Sequence, residues 1–132
     1  MAVIYLGKGW IDSKEDVDSF LQQVKELLND PNNLSIVQKT GSRDKTREFR
    51  EKYGINHQMV CDEILGLDIS NYSYTDNDDN KAIGGKFLIF GQFILPPIVD
   101  KPLVVYIKLK LRGRVVCMSF HEGEFLLQYP YN

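Results

Sequence analysis

The chain has 132 residues, enough for one domain, 1–132, with a core of its own. Hydrophobic and charged residues make up 43% and 26% of it, as in ordinary globular proteins, and no apolar run approaches the roughly 18–20 residues needed to cross a bilayer. A net charge of −2 argues against a uniformly basic, nucleic-acid-coating surface.

In chain order, "AVIYL" (2–6) reads as a short strand or ordered arm. It follows no basic segment and leads into no long apolar stretch, so no secretory signal is expected. From Ser13, a capping residue with Asp16 in the first turn, Val17, Phe20, Leu21, Val24, Leu27 and Leu28 fall on one helical stripe that ends ahead of Pro31. "SRDKTREFREKYG" (42–54) predicts a second helix, capped by Ser42 and stopped by Gly54. A third covers 57–65 and ends at Gly66. Helices therefore occupy the 13–66 half.

"DISNYSYTDNDDNKAIGG" (68–85) reads as a long polar loop. Strands are expected at 86–94, 103–111 and 114–121, with a further one in "FLLQY" (125–129), so that a sheet fills 86–128. Helices first and an antiparallel sheet after is the pattern of an α+β domain. Charge is uneven along this order. "QKTGSRDKTREFREK" (38–52) is basic on balance, as is 81–114, against acids at 12–18 and 76–79. That asymmetry is either an ordinary solvated surface or a local patch facing phosphate. Cys61 and Cys117 sit in apolar contexts and read as reduced, buried thiols. With no signal and no disulfide framework, a cytoplasmic protein is expected.

"YIKLKLRGRVVCMSFH" (106–121) carries most of the chemical interest. With Arg112-Gly113 as a two-residue hairpin loop, Leu111 pairs with Arg114, Ile107 with Met118 and Tyr106 with Ser119. Side chains alternate across a strand, so Val105, Ile107, Leu109, Leu111, Val116, Met118 and Phe120 form a core face. Tyr106, Lys108, Lys110 and His121 share the opposite face with Val104, Val115, Cys117 and Ser119. There Tyr106 and His121 are diagonal neighbours across the two strands, with backbones about 7–8 Å apart.

Alternating lysines usually mean a solvated face, and a strand tyrosine usually packs. A phenol, ammonium groups and an imidazole together nonetheless suit RNA cleavage without a metal. An imidazole exchanges protons near neutral pH. Lys108 would hold the phosphate, and Tyr106 would orient it or the attacking 2′-hydroxyl. No metal-ligand spacing, Walker loop, dinucleotide fingerprint or nucleophile elbow occurs, so neither a metal nor a cofactor is expected.

"ILGLDISNY" (64–72), "VVYIKL" (104–109) and "VCMSFHEGE" (116–124), in that order, resemble the motility quorum-sensing regulator toxins, ribonucleases of the RelE-like group. The resemblance covers about residues 53–124. It implies helices packed on a twisted antiparallel sheet and metal-independent endonucleolytic cleavage of mRNA, free or on the ribosome. It also implies neutralisation by a cognate antitoxin protein. Carried over by position, Tyr106 matches the family's strand tyrosine, Lys108 follows two residues on, and His121 takes the place after "SF" where a lysine is usual. Gln92 falls near the family's glutamine on the preceding strand. The family's loop lysine falls near Tyr74, so that cationic contact is either missing or supplied from elsewhere, as by Lys81 or Lys86. The acidic overall charge and the N-terminal helix also depart from the family. Catalysis is thus expected from His121, Tyr106 and Lys108, and substrate contacts from Gln92, Tyr74, Lys86 and Lys110. The rival expectation is a non-catalytic RNA-binding or protein-interaction domain, such as a phage or mobile-element accessory protein.

Overall fold

A computed structural model describes residues 9–78 and 84–132. The expected arm at 2–6 and Lys81 lie outside the described residues.

Helix α1 spans Lys14–Leu27 and starts as expected. The Ser13 side chain accepts from the Asp16 amide at 3.2 Å, and Val17, Leu21 and Val24 are buried. Helix α2 spans Lys45–Tyr53. Its cap is Asp44 rather than Ser42. One Asp44 oxygen accepts from the Arg47 amide at 3.0 Å and the other from the Lys39 amide at 3.1 Å, which ties the incoming loop to the helix start. Gly54, with φ of +64°, closes α2 in the left-handed conformation that a glycine adopts without steric cost. Helix α3 spans His57–Leu65, with Asn56 as its cap.

The sheet has five strands in the order β1-β5-β4-β3-β2, where β1 is Leu34–Ile36, β2 Tyr72–Asn77, β3 Lys86–Ile94, β4 Leu103–Leu111 and β5 Val115–Glu122. The architecture is α+β, three helices packed on a sheet. The sheet is mixed rather than wholly antiparallel, because β1 runs parallel to β5. Two strands were not expected. β1 is only three residues long, and β2 lies inside the supposed polar loop, where the Tyr-Ser-Tyr-Thr run favours extended backbone. Conversely, 125–129 forms no strand.

The main core lies between the helices and one sheet face. It gathers Val17, Val24, Val60, Ile64, Phe90, Ile107 and Phe120, all fully buried. A smaller cluster on the opposite face joins Tyr74, Phe87 and Ile89 to Tyr106, Met118 and Leu127. The segment after β5 supplies Leu127 and lies over β3. A Cβ on Gly91 would come within 2.2 Å of the Tyr129 hydroxyl and 3.0 Å of Leu127, so the segment seats only on a glycine. It is fixed by Ser73, whose hydroxyl donates to the Gln128 carbonyl at 2.6 Å, and by Tyr131, which stacks on Tyr72 and donates to the Asp12 carbonyl.

The β4–β5 register differs from the two-residue-loop expectation. Leu111 pairs with Val115, leaving three residues in the turn, with Gly113 at φ of +66°. An irregularity between Lys108 and Leu109 then inserts Met118, so that Lys108 pairs with Ser119 and Tyr106 with His121. Val115 and Cys117 therefore enter the core in place of Val116 and Met118, while Phe120 stays there as expected. Both cysteines are free and buried, and burial pushes the Cys117 thiol up to about 12, far from a reactive thiolate. Among the described residues no helix is long and apolar enough to cross a membrane.

Candidate functional site

The inserted Met118 makes Tyr106 and His121 direct cross-strand partners. Their rings stack, with centroids 5.6 Å apart and planes 22° from parallel. The His121 ring is half-buried rather than sunk in the core. Its Nδ1 lies 3.0 Å from the Glu122 carbonyl. A carbonyl only accepts, so a neutral imidazole is satisfied there by the Nδ1–H tautomer, which leaves the Nε2 lone pair available as a base.

Tyr106 is held from three sides. Its hydroxyl lies 3.2 Å from that of Tyr74, His121 covers a ring face, and Phe125 packs edge-on at 5.9 Å. Burial, reinforced by the hydrogen bond to Tyr106, pushes the Tyr74 phenol far above the ordinary tyrosine value. Tyr74 is accordingly a protonated hydrogen-bonding partner at any physiological pH, not a base. Lys108 lies two residues from Tyr106 on the same face, with Nζ 4.9 Å from the centre of the Phe87 ring. It makes no ion pair among the described residues.

Tyr74, Tyr106, His121 and Lys108 are thus brought to one sheet face. The remaining expected site residues are not. Gln92 pairs with core-facing Val105 and points to the helical side. There its amide nitrogen lies 3.4 Å from a Glu63 carboxylate oxygen, and its carbonyl oxygen accepts from Asn71 at 3.2 Å. The alternation of β3 that puts Gly91 beneath Tyr106 necessarily turns Gln92 away. Lys86 falls on that other side as well, ion-paired to Asp12 at 3.1 Å. Asp12 also accepts from Thr75 and Trp10. Burial alone would raise its carboxyl, but these hydrogen bonds and Lys86 hold it below the usual value. Lys110 shares the face of Lys108 but is buried. Its Nζ pairs with Asp78 at 2.7 Å and donates to the Gly84 carbonyl, so it ties the residue after β2 to the approach to β3 rather than facing a ligand.

Around His121 the structure adds groups from α2. The Phe120 amide donates to the Thr46 hydroxyl at 3.0 Å, beyond the point where β1 ends, and this docks α2 on the free side of β5. A cleft of about 300 Å³ results, with His121 and Tyr53 among its walls beside Arg43, Lys45 and Lys52. Its carboxylates are Glu48, Glu122 and Glu124. The basic balance of 38–52 was the sequence signal for this cluster. Its proximity to His121 depends on the α2–β5 contact, which no local pattern discloses. Phe125 had no signal beyond its place in an apolar run. Among the described residues no group of three or more His, Cys, Asp or Glu side chains is placed to hold a metal ion.

No family model, curated protein or solved structure matches the chain.

Proposed function

We propose that the chain is a metal-independent endoribonuclease acting on mRNA in the cytoplasm, the toxin of a toxin–antitoxin pair held inactive by a protein antitoxin. The observation that carries the proposal is the stacked Tyr106–His121 pair, with Lys108 on the same face. The resemblance of 64–72, 104–109 and 116–124 to the motility quorum-sensing regulator toxins supplies the biological setting.

In this scheme the Nε2 of His121 removes the proton from a ribose 2′-hydroxyl. The 2′-oxygen attacks the adjacent phosphorus, the bond to the 5′-oxygen breaks, and the leaving oxygen is protonated from water at the half-exposed site. The products are a 2′,3′-cyclic phosphate and a 5′-hydroxyl. Lys108 offsets charge on the non-bridging oxygens, and the ring of Tyr106 supports the imidazolium as it forms. Tyr74 holds the Tyr106 hydroxyl in place.

Purified protein incubated with single-stranded RNA and a chelator should yield cyclic-phosphate ends. His121→Ala should slow that cleavage by about 10²–10⁴-fold, the usual contribution of a general base. Induced expression should arrest growth, and the same substitution should relieve the arrest. Equal persistence of mRNA under wild type and variant would defeat the proposal.

A second function, docking of a protein without catalysis, is favoured by one observation. Phe93 and Val104 pair across β3 and β4 on this same face and are 60% and 38% exposed, and exposed Phe125 packs on Tyr106 of that face. It predicts no RNA affinity and no growth effect of His121→Ala.

A further inference from the structure

The cleft between α2 and the end of β5 is not required by the cleavage step, yet His121 forms part of its wall. Its composition is that of a single-strand nucleic-acid subsite, with aromatic rings to stack on and cations to track a backbone. Tyr53 presents a half-buried ring backed by Phe49 at 5.1 Å, and the Lys52 ammonium lies 5.1 Å from the centre of the Tyr53 ring. Arg43 and Lys45 stand at the start of α2, each held by a carboxylate. Arg43 pairs with Glu48 at 2.9 Å, and Lys45 pairs with Glu124.

Those pairs are open to solvent. Side-chain exposure is 70% and 45% for the first and 39% and 56% for the second. Exposed ion pairs are weak and exchange readily, so a phosphate diester arriving at the cleft can take over either cation while the glutamate turns to water. Glu124 follows Gly123 in the segment leaving the sheet and is free to swing without disturbing a strand.

We propose that this cleft binds the RNA nucleotide next to the scissile phosphate. Tyr53 stacks on its base, and Lys45, Lys52 and Arg43 take its phosphate in exchange for Glu124 and Glu48. The inference rests on the ribonuclease function proposed above and adds a second subsite to it. In the unliganded protein the acids occupy the cations, so the cleft is neutral on balance until a polyanion competes. This reconciles a local nucleic-acid site with an acidic chain.

The test measures equilibrium binding of a labelled single-stranded oligonucleotide of about ten nucleotides, made uncleavable by 2′-deoxy substitution, across a salt series. The Lys45→Ala/Lys52→Ala double variant should bind about 10-fold more weakly at low salt. The slope of log affinity against log salt should become shallower by about one. Glu124→Gln should bind about 2–5-fold more tightly, because it releases Lys45. All three positions are solvent-accessible, so the variants are expected to fold. If wild type cleaves RNA but affinity and slope are the same in the double variant, the cleft proposal is overturned and the ribonuclease stands. If wild type neither binds nor cleaves, both fall.

Discussion

The imidazole of His121 lies against the ring of Tyr106 because one extra residue, Met118, is inserted into β5 opposite the Lys108–Leu109 step. A uniform alternation from the turn onwards cannot put Val115, Cys117 and Phe120 all in the core. The insertion allows it, and so leaves His121 beside Tyr106 on the other face.

Two substitutions at Tyr106 separate its ring from its hydroxyl. Tyr106→Phe keeps the stack with His121 and loses the 3.2 Å hydrogen bond to Tyr74, at a cost of about 1 kcal/mol in stability. Tyr106→Ala removes both. The ring-current shift of the His121 carbon-bound protons should persist in the first variant and vanish in the second. RNA cleavage should drop more than tenfold further in the alanine variant. Unchanged His121 shifts in Tyr106→Ala would show that the stack does not exist in solution.

The lysines two positions apart on β4 should behave differently. Lys110 is 8% exposed and Asp78 11%, so Lys110→Ala breaks a poorly hydrated ion pair and should lower stability by about 2–4 kcal/mol. Lys108→Ala removes a cation lying over Phe87 and should cost less than about 1 kcal/mol, while weakening RNA affinity and its salt dependence. Denaturant unfolding and RNA binding measured on both variants decide this. Equal stability losses would contradict the assignment.

Gly91→Ala should lift the 123–132 segment off β3. The new methyl would meet the Tyr129 hydroxyl and Leu127, a clash worth about 1–3 kcal/mol. Proteolysis should then cut within 123–132 sooner, and Tyr129→Ala in the same chain should recover part of the loss. If the double variant is simply the sum of its parts, Tyr129 is not the obstacle.

Asp44 gives the fold an acid sensitivity. Burial would raise its carboxyl, but hydrogen bonds from the Arg47 and Lys39 amides outweigh that and hold it below the ordinary 3.8. A depressed folded-state value means that its stabilisation is complete above the unfolded value and fades as pH falls below about 3.8 through the lower folded one. Asp44→Ala should cost about 1–2 kcal/mol at neutral pH. Asp44→Asn, which keeps an acceptor, should lose less and show a flatter stability profile in acid. A profile identical to wild type would exclude Asp44 as the titrating group.

The helices were legible because each rests on a local rule. Stripe spacing and Ser13 set α1, and Gly54 and Gly66 set the ends of α2 and α3. Asp44 displaced Ser42 as a cap because it also catches the Lys39 amide, a contact made only once the loop folds. β2 was masked by polar composition. Its Tyr72 and Thr75 are buried by partners far along the chain, Asp12 and Tyr131. β1 is too short for any periodicity. At the site, Tyr106, Lys108 and His121 were legible from alternation. Their true register was not, because two departures of one residue each, in the turn and at Met118, cancelled in their effect on which face His121 occupies. Gln92 and Lys86 were assigned from positional likeness, which carries no information on facing, and strand parity overrules it.

Both rims of the sheet discourage strand addition. On one side Trp10 exchanges two backbone hydrogen bonds with Thr75, 2.9 and 2.8 Å long, and so plugs the outer edge of β2 at its middle. On the other, β1 offers only three residues before the chain turns away. Among the described residues, a second polypeptide seeking to lengthen the sheet finds no extended ladder to continue. Self-templated fibre growth is disfavoured for the same reason, and any protein that docks on these rims would grip side chains instead of backbone.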